Sequence, residues 1–286
     1  MSKKVILTCD STCDLGEDIK KEYGIELFCP LHINYADKSY DDGVDIFPDD
    51  IFKTFYKTGT LPSTAAVSIG EYVDFFKPFI DDGCEVVHIN LAAELSCSYA
   101  NACAAAKMLG GVYPIDSHNL STGSGLLVLE AADRIRAGME AKQIAEEISA
   151  IVDESHASFI LDTLKFLAAG GRCSQIVAFG ANLLQLKPSI QVDAAKGGKM
   201  GVAKKYRGKF EQCVASYVND QLDRYPNIKK TRVFITHSGI YDGIVPMVQK
   251  IIEDRNIFDK IYITRAGCTI SSHCGPNCIG VLFMTE

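Results

Sequence analysis

Long hydrophobic runs are missing from this sequence of 286 residues. Nowhere do apolar residues continue for the roughly 18 positions that a bilayer-spanning helix needs. The apolar run that begins at Val5 is broken by Asp10, which is too early for the core of a signal peptide. We therefore expect a cytoplasmic protein without stable membrane insertion.

Positive charge is also in short supply. Lysine and arginine together number 29 against 36 aspartates and glutamates, which leaves a formal net charge of −7. A protein that binds nucleic acid normally carries a basic face that neutralises phosphates, so we expect no nucleic-acid partner. The basic residues cluster only weakly, between Lys196 and Lys209, and this run is either a solvated hairpin or a docking surface for an acidic partner.

The common motifs of nucleotide binding and nucleophilic catalysis are absent from the sequence. There is no G-x-x-x-x-G-K-[ST] loop, no G-x-G-x-x-G loop and no G-x-S-x-G elbow. The six histidines are scattered, and none forms a recognisable motif with a serine and an acid. We predict a protein that binds an anionic small molecule and has neither a catalytic residue nor a cofactor.

Cysteine, in contrast, is plentiful, with eleven residues. In a long chain that is not secreted we expect these thiols to stay reduced. Cys9 and Cys13 have the spacing C-x3-C, and so do Cys274 and Cys278. Four thiolates could hold a zinc ion, but Asp10-Ser11-Thr12 within the first pair is typical of a helix cap. We predict packed thiols and no metal, with zinc as the alternative.

The first half of the chain repeats an order of strand, polar turn and helix. The predicted strands cover 5–8, 85–89 and 112–115, and the predicted helices cover 15–23, 69–80, 96–108 and 125–154. This alternation is typical of a parallel sheet covered by helices. Ligands of such sheets bind at the carboxyl ends of the strands.

The second half has a different pattern. Its predicted strands cover 159–161, 189–192, 201–205, 232–236 and 260–264, and its predicted helices cover 162–169 and 174–185. A hairpin around Gly197-Gly198 and mixed connections favour an α+β arrangement. A chain of this length favours two domains, which we place at 1–155 and 156–286.

Small hydroxyl residues recur where a strand or loop precedes a helix. They are Ser11-Thr12, Ser63-Thr64, Ser96, Ser98, Ser117 and Ser121-Thr122. Each is compatible with ordinary N-capping, which contributes about 1 kcal/mol per cap. If several converge at the strand ends of one sheet, they form a neutral anion site that suits a carboxylate better than a triphosphate.

Two further polar residues are candidates for an anion site. We expect His273 to lie in a loop beside Gly275-Pro276, where it is either structural or a hydrogen-bond donor to an anion. Arg172 follows the helix stop Gly170-Gly171, where it is either a partner of the helix dipole or a charged group at the rim of the site.

Several short segments form an ordered set along the chain. They are 8–15 (TCDSTCDL), 95–99 (LSCSY), 115–117 (IDS) with 121–125 (STGSG), 161–172 (LDTLKFLAAGGR), and 186–188 (LKP) with 197–198 (GG). The set resembles the DegV family of fatty-acid-binding proteins, and the likeness covers essentially the whole chain.

The resemblance implies an α/β, DegV-like fold of two domains, with the ligand between them. A parallel-sheet α/β/α domain carries the hydroxyls, and an α+β domain covers the acyl chain. Thr64, Ser96 and His273 would hold the carboxylate of a fatty acid such as palmitate, stearate or oleate. The secondary site candidates are Ser63, Ser98, Arg172, Ser271 and Gly275.

The resemblance also implies a partner. In bacteria, members of this family deliver the bound fatty acid to a separate fatty acid kinase, and the acyl phosphate that it forms enters phospholipid synthesis. Arg172 is the candidate for the docking edge. Two other function classes stay open from the residues: a small-molecule kinase or hydrolase on the same frame, and a regulatory protein that senses a lipid.

Two departures from the family pattern affect the site. Thr64-Ala65-Ala66-Val67-Ser68 stands where the family has T-S-Q-P-S, so that only the first and last residues agree. Cys97 replaces the glycine of the family's L-S-G segment. The hydroxyls of Thr64 and Ser96 are both kept, so the departures bear on the head-group geometry and the acyl preference and not on the presence of these hydroxyls.

Overall fold

The computed structural model describes residues 3–25, 27–35, 38–174 and 186–286. In chain order the strands are β1 (Val5–Asp10), β2 (Phe28–Cys29), β3 (His32–Tyr35), β4 (Lys38–Asp41), β5 (Ser63–Ala65), β6 (Glu85–Asn90), β7 (Val112–Asp116), β8 (Ser155–Leu161), β9 (Leu186–Asp193), β10 (Lys199–Arg207), β11 (Ile228–His237), β12 (Ile261–Arg265) and β13 (Cys278–Thr285). The α-helices are α1 (Glu17–Tyr23), α2 (Pro48–Thr58), α3 (Ile69–Asp81), α4 (Ser98–Leu109), α5 (Thr122–Arg136), α6 (Ala141–Ala150), α7 (Lys165–Gly170), α8 (Phe210–Arg224), α9 (Ile244–Arg255) and α10 (Cys268–Cys274).

Four strands of the first half form the parallel sheet, in the order β2-β1-β6-β7. The predicted strands at 5–8, 85–89 and 112–115 are all present in it. Helices α3 to α6 pack against this sheet. The end of β1 and almost all of β6 are therefore buried, as expected for strands that are covered by helices.

The long helix predicted over 125–154 is wrong in its extent. The chain forms α5 and α6 instead, with a turn at Gly138, whose φ of 81° lies in the left-handed region that glycine adopts readily. All residues from Thr122 to Ala132 are buried. Helix α5 contacts β1 and β6 of the parallel sheet and also β8 and β13, so it lies between two sheets.

The second half forms a six-stranded mixed sheet, in the order β10-β9-β8-β13-β11-β12. The predicted hairpin is present, with β9 and β10 paired antiparallel around Gly197-Gly198. The predicted strands at 159–161, 232–236 and 260–264 correspond to β8, β11 and β12, while β13 was not predicted. The predicted helix 162–169 begins only at Lys165. The predicted helix 174–185 lies outside the described residues, apart from Ser174.

A third, antiparallel sheet has the order β4-β3-β5 and was not predicted at all. Its strands are only three or four residues long, which leaves little periodicity to read in the sequence. Thr64 lies in the edge strand β5, where it pairs with Ile33. Strand β5 ends at Ala65 and α3 begins at Ile69, so Thr64 lies near the end of a strand that precedes a helix, as expected.

The packing of the buried side chains joins the two halves of the chain. The largest hydrophobic cluster runs from Leu7 to Met284 and includes residues of both predicted domains. A second cluster lies under α8 and α9, and a third lies under the small sheet. The fold is the predicted α/β arrangement, while the domain boundary near 155 stays a prediction. In the described ranges, none of the helices has the length and apolar character that crossing a bilayer requires.

Candidate functional site

One cavity of about 140 Å³ contains the main candidates. Its lining comes from segments that are distant in sequence: the strand β5, the loop after β6, helix α7, strand β10 and helix α10. The lining residues are Leu31, Thr64, Ala65, Ala66, Leu91, Leu95, Ser96, Cys97, Leu120, Leu167, Arg172, Met200, Thr269, Ile270, His273 and Cys274. Most of these side chains are apolar, so the few polar ones stand out.

His273 lies in helix α10 and not in the predicted loop, and it is in direct contact with Thr64 at this cavity. Thr64 Oγ1 lies 2.9 Å from His273 Nε2, although the two residues are 209 positions apart in the sequence. Burial, and then the positive charge of Arg172, lower the pKa of His273 to about 4. The imidazole is therefore neutral at pH 7, and the site offers an anion a hydrogen-bonding group here and not a charge.

Ser96 lies just before the amino terminus of α4. Its hydroxyl accepts the backbone N–H of Ser98 at 3.2 Å and lies 2.9 Å from the hydroxyl of Ser98. Helix α4 has twelve residues and carries no acidic side chain in its first turn. The positive end of its dipole is therefore not neutralised locally, which favours an anion next to Ser96.

Arg172 lies at the rim of the cavity, where its side chain is exposed. Its guanidinium donates to the carbonyl of Gly170 at 2.9 Å and, more weakly, to that of Leu95 at 3.4 Å. Gly170 is the last residue of α7. The side chain thus caps the carboxyl end of α7 and also lines the cavity, while its role at a ligand site stays a prediction.

The other secondary candidates do not line the cavity. Ser63 is exposed on β5, and Ser98 is buried behind Ser96. Ser271 donates its hydroxyl to the carbonyl of Ala266 at 3.1 Å within the start of α10. Gly275 ends α10 with a φ of 72° and packs against Phe166. Ser98 and Ser271 thus make local hydrogen bonds and Gly275 packs beside the site, while Ser63 is a surface residue of β5.

The remaining hydroxyl residues do not converge as the sequence suggested. Ser117 lies 2.8 Å from Ser124, and Thr122 lies 2.6 Å from Thr236, all of them buried. Ser121 donates to Asp14. These hydroxyls pair with other polar groups of the protein, which leaves Thr64 and Ser96 as the members of the predicted set that line the cavity.

Helix α10 carries two features that sequence reasoning missed. Thr269 is 3% exposed and lines the cavity, and its hydroxyl has no hydrogen-bond partner among the described residues. The amino end of the helix is held by the buried carboxyl groups of two aspartates. Asp42 accepts the N–H groups of Cys268 and Thr269 at 2.6 and 3.0 Å, and Asp14 accepts that of Gly267 at 2.8 Å.

Asp14 is held in an unusual environment. Burial raises its pKa to about 8, although hydrogen bonds from Ser121 and Gly267 oppose the shift and the nearby Asp42 adds to it. No sequence motif predicts this arrangement, because Asp14 and Asp42 contact α10 only in the tertiary fold. The one available signal is the acidic character of the segment 10–14, which is equally typical of a helix cap.

The paired cysteines lie within the core. Cys9, Cys13, Cys274 and Cys278 are all buried, and burial raises the pKa of Cys13 and of Cys278, each next to the other cysteine of its pair. Protonated, buried thiols are poor metal ligands. Within the described ranges, no group of three or more histidine, cysteine, aspartate or glutamate residues is arranged to hold a metal ion.

Comparison with known proteins gives consistent matches over the full length. A family model described as "Uncharacterised protein, DegV family" matches residues 4–286. A DegV domain-containing protein of Clostridium acetobutylicum is 31% identical over 289 residues, covering 99% of both chains. A second, from Clostridium perfringens, is 28% identical over 286 residues with the same coverage.

Solved structures share the fold. A fatty-acid-binding DegV family protein from Thermus thermophilus matches with a TM-score of 0.88 and 24% identity, covering 99% of this chain and 100% of the other. The Fatty Acid Kinase (Fak) B3 protein of Streptococcus pneumoniae, loaded with linoleic acid, matches with a TM-score of 0.82 and 18% identity, again over 99% and 100%. At these identities the likeness establishes the architecture.

Proposed function

The chain belongs to the DegV family, and from this premise we propose that it binds a long-chain fatty acid and presents the carboxylate to a separate kinase. The observation that carries the proposal is one apolar cavity in which Thr64, Ser96 and His273 are among the few polar lining residues. Related structures that bind fatty acids and the Fak B3 protein with linoleic acid support it. In this role the protein is a non-catalytic carrier in the cytoplasm, and its ligand is palmitate, stearate, oleate or a similar acid.

The energetics of such a complex divide between the tail and the head of the ligand. Burying ~15 methylenes at ~0.8 kcal/mol each contributes roughly 12 kcal/mol before the costs of association. A hydrogen bond from a hydroxyl to a carboxylate contributes only ~1.5–3 kcal/mol. The acyl tail therefore supplies the affinity. The hydroxyls of Thr64 and Ser96 orient the carboxylate and keep it from being buried without a partner.

The size of the cavity bears on where the tail lies. A dry cavity of about 150 Å³ holds a molecule the size of benzene, so the 140 Å³ found here fits the head and the first part of an acyl chain. A smaller cavity of about 20 Å³ shares Leu120, Ile270 and Cys274 with it and continues to Phe159 and Leu282. We place the tail along this path, with side chains of the second half moving apart to admit it.

The charge of the site suits delivery of the carboxylate to a kinase. A neutral cradle leaves the carboxylate oxygens nucleophilic, whereas a buried arginine pair would hold them tightly. Arg172 is a cation at the rim, where its exposed side chain can meet a partner protein. The partner would supply a nucleoside triphosphate, and a carboxylate oxygen would attack its terminal phosphorus. The bond from that phosphorus to the bridging oxygen breaks, the nucleoside diphosphate leaves, and the acyl phosphate remains.

Native mass spectrometry of freshly purified protein tests the binding step. We expect a bound mass that matches a long-chain fatty acid, identified after lipid extraction. The proposal is wrong if delipidated protein takes up neither oleate nor palmitate. Adding a bacterial fatty acid kinase tests the second step, because a carrier supports acyl phosphate formation and a lipid-sensing regulator does not.

Replacement of both head-group hydroxyls tests the site itself. The variant Thr64→Ala/Ser96→Ala should bind oleate at least about tenfold more weakly, since it loses hydrogen bonds to a charged group. Ser63→Ala is the matched control, because it removes an exposed hydroxyl from the same strand as Thr64. Equal affinities of the double variant and the control would show that the carboxylate lies elsewhere.

A small-molecule kinase or hydrolase is the rival function, and it makes a different prediction. Such an enzyme would be stabilised by Mg-ATP or by its own substrate and not by a fatty acid. A rise in melting temperature with Mg-ATP, together with none for oleate, would favour the rival.

A further inference from the structure

Two adjacent glycines, Gly170 and Gly171, end helix α7 directly before Arg172, and they are glycine for different reasons. Gly171 has a φ of 70°, and a Cβ at this position would meet nothing within 4 Å. Gly170 needs no positive φ, but a Cβ there would lie 2.1 Å from Nδ1 and 3.0 Å from Cε1 of His273. Backbone conformation thus accounts for Gly171, whereas close approach of the His273 ring accounts for Gly170.

The contact with Gly170 bears on which ring nitrogen of His273 carries the hydrogen. Nδ1 is buried and has no hydrogen-bond partner among the described residues. The Cα hydrogen of Gly170 that replaces a Cβ points at this nitrogen. If Nδ1 carried a hydrogen, this hydrogen would clash with the Cα hydrogen of Gly170. If Nδ1 carries a lone pair instead, it can accept the weak C–H contact. A buried N–H without a partner is also rarer than an unpaired acceptor.

We propose that Gly170 is a positioning residue that selects the neutral His273 tautomer with its hydrogen on Nε2, and thereby sets the direction of the Thr64 hydroxyl. This rests on the proposed function insofar as Thr64 meets a fatty-acid carboxylate. The choice of tautomer itself is a property of the lipid-free protein.

The consequence for the site follows from the hydrogen bond between His273 and Thr64. With its hydrogen on Nε2, His273 donates to Thr64 Oγ1 across 2.9 Å. The hydroxyl hydrogen of Thr64 is then not used by the ring and is available to the cavity that Thr64 lines. A hydroxyl that accepts one hydrogen bond donates a stronger one, so Thr64 becomes a better donor to a carboxylate.

The opposite tautomer of His273 would reverse the hydrogen-bonding character of Thr64 toward the cavity. With the hydrogen on Nδ1, the hydroxyl of Thr64 would donate to Nε2 and turn its lone pairs toward the cavity, where they would repel a carboxylate. A doubly protonated ring is disfavoured by burial and by the charge of Arg172, which lower the pKa of His273. Gly170 therefore decides whether the head-group site is a donor or an acceptor.

Nitrogen NMR of histidine in lipid-free protein at pH 7 measures the tautomer directly. We expect His273 to show a protonated Nε2 and an Nδ1 with the shift of a bare lone pair, with its signals assigned by their loss in His273→Gln. A protonated Nδ1 would overturn the proposal, and this result needs no lipid and no variant of Gly170.

The variants Gly170→Ala and Gly171→Ala form a matched pair on neighbouring residues. In Gly170→Ala the new methyl displaces the ring, so we expect the His273 signals to move and the affinity for oleate to fall about tenfold, as for the loss of one hydrogen bond to a charged group. Gly171→Ala adds backbone strain without touching His273, and it should leave the tautomer and the affinity unchanged. An equal loss of affinity in both variants would count against Gly170 as a positioning residue.

The two proposals fail separately. If the wild-type tautomer is as expected but no fatty acid binds, the proposed function is wrong and the link from Gly170 to His273 stands. If oleate binds but His273 carries its hydrogen on Nδ1, the carrier stands and the role of Gly170 is wrong. If Gly170→Ala does not fold, the same substitution is made in the variant His273→Ala, which lacks the ring. The affinity of His273→Ala for oleate should then be the same with and without Gly170→Ala.

Discussion

Thr269 and His273 lie four residues apart on α10, and both line the cavity. Residues at this spacing share a face of a helix. Their polar atoms are nevertheless in different situations, since His273 Nε2 is bonded to Thr64 while the hydroxyl of Thr269 has no partner among the described residues. At the scale of single residues, α10 therefore brings two polar side chains into the apolar lining, of which His273 is bonded through Nε2 only and Thr269 is not bonded through its hydroxyl.

The variant Thr269→Val should raise the stability of the lipid-free protein. Valine has nearly the shape of threonine, and a buried hydroxyl without a partner costs ~1–3 kcal/mol, so we expect a gain of about 1 kcal/mol. Urea unfolding measures this change. Ser271→Ala is the control on the same helix, and it should be destabilising because the hydroxyl of Ser271 is bonded to Ala266. A loss of stability in both variants would show that Thr269 has a partner.

At the scale of elements, α10 is the helix that carries Thr269, Ile270 and His273 into the cavity. Its seven residues are too few to be stable alone. Asp14 and Asp42 hold its amino end through the backbone N–H groups of residues 267–269. The position of the head-group histidine thus depends on two aspartate side chains from the first half of the chain.

The raised pKa of Asp14 predicts a pH dependence of stability. Between its unfolded value near 3.8 and its folded value of about 8, the folded state keeps a proton that the unfolded state has lost. Stability therefore falls as pH rises through this window. The amide in the variant Asp14→Asn cannot ionise, so this variant should not lose stability in the window. From pH 5 to pH 8, the difference in unfolding free energy between variant and wild type should therefore shift in favour of the variant by on the order of 2–4 kcal/mol.

Urea unfolding of both proteins at pH 5 and pH 8 checks this prediction. The exposed Asp74 provides the control, because Asp74→Asn removes a carboxylate from the surface of α3. That variant should follow wild type at both pH values. A constant difference between Asp14→Asn and wild type would show that Asp14 titrates normally.

At the scale of the whole molecule, each half of the chain contributes an element that packs against the other half. Helix α5 of the first half packs against strands β8 and β13 of the second. The β9–β10 turn in return meets the first half, since a Cβ on Gly198 would lie 2.7 Å from Ala92 Cβ and 2.9 Å from the carbonyl oxygen of His118. We therefore propose that the boundary near 155 separates two segments of the chain that do not fold independently.

Gly198 tests this contact between the halves. Gly197 and Gly198 both have positive φ, 69° and 93°, but a Cβ on Gly197 would meet nothing within 4 Å. Gly197→Ala should cost about 1 kcal/mol through backbone strain alone. Gly198→Ala adds a clash with backbone and should cost at least about another 1 kcal/mol. Equal losses in urea unfolding would indicate that the turn and the first half can separate freely.

The sequence by itself determined most of the regular elements and the candidate residues. The strands around 5–8, 85–89 and 112–115 and the β9–β10 hairpin were predictable, because alternation, buried runs and turn glycines are local signals. The order of the motifs indicated the family, which the comparison over residues 4–286 confirmed. Thr64, Ser96 and His273 were named from that resemblance, and their role as carboxylate ligands stays a proposal.

The tertiary structure alone decided which polar groups meet. Thr64 reaches His273 through the unpredicted sheet β4-β3-β5, and Asp14 and Asp42 reach α10 across the molecule. Pairing between residues some 200 positions apart leaves no periodicity in either segment, so inspection of one sequence cannot find it. The same holds for the hydroxyls of Ser117 and Thr122, which pair with neighbours in the core instead of lining the cavity. Each of these outcomes depends on three-dimensional packing, which brings some polar groups to the cavity and supplies the others with partners elsewhere.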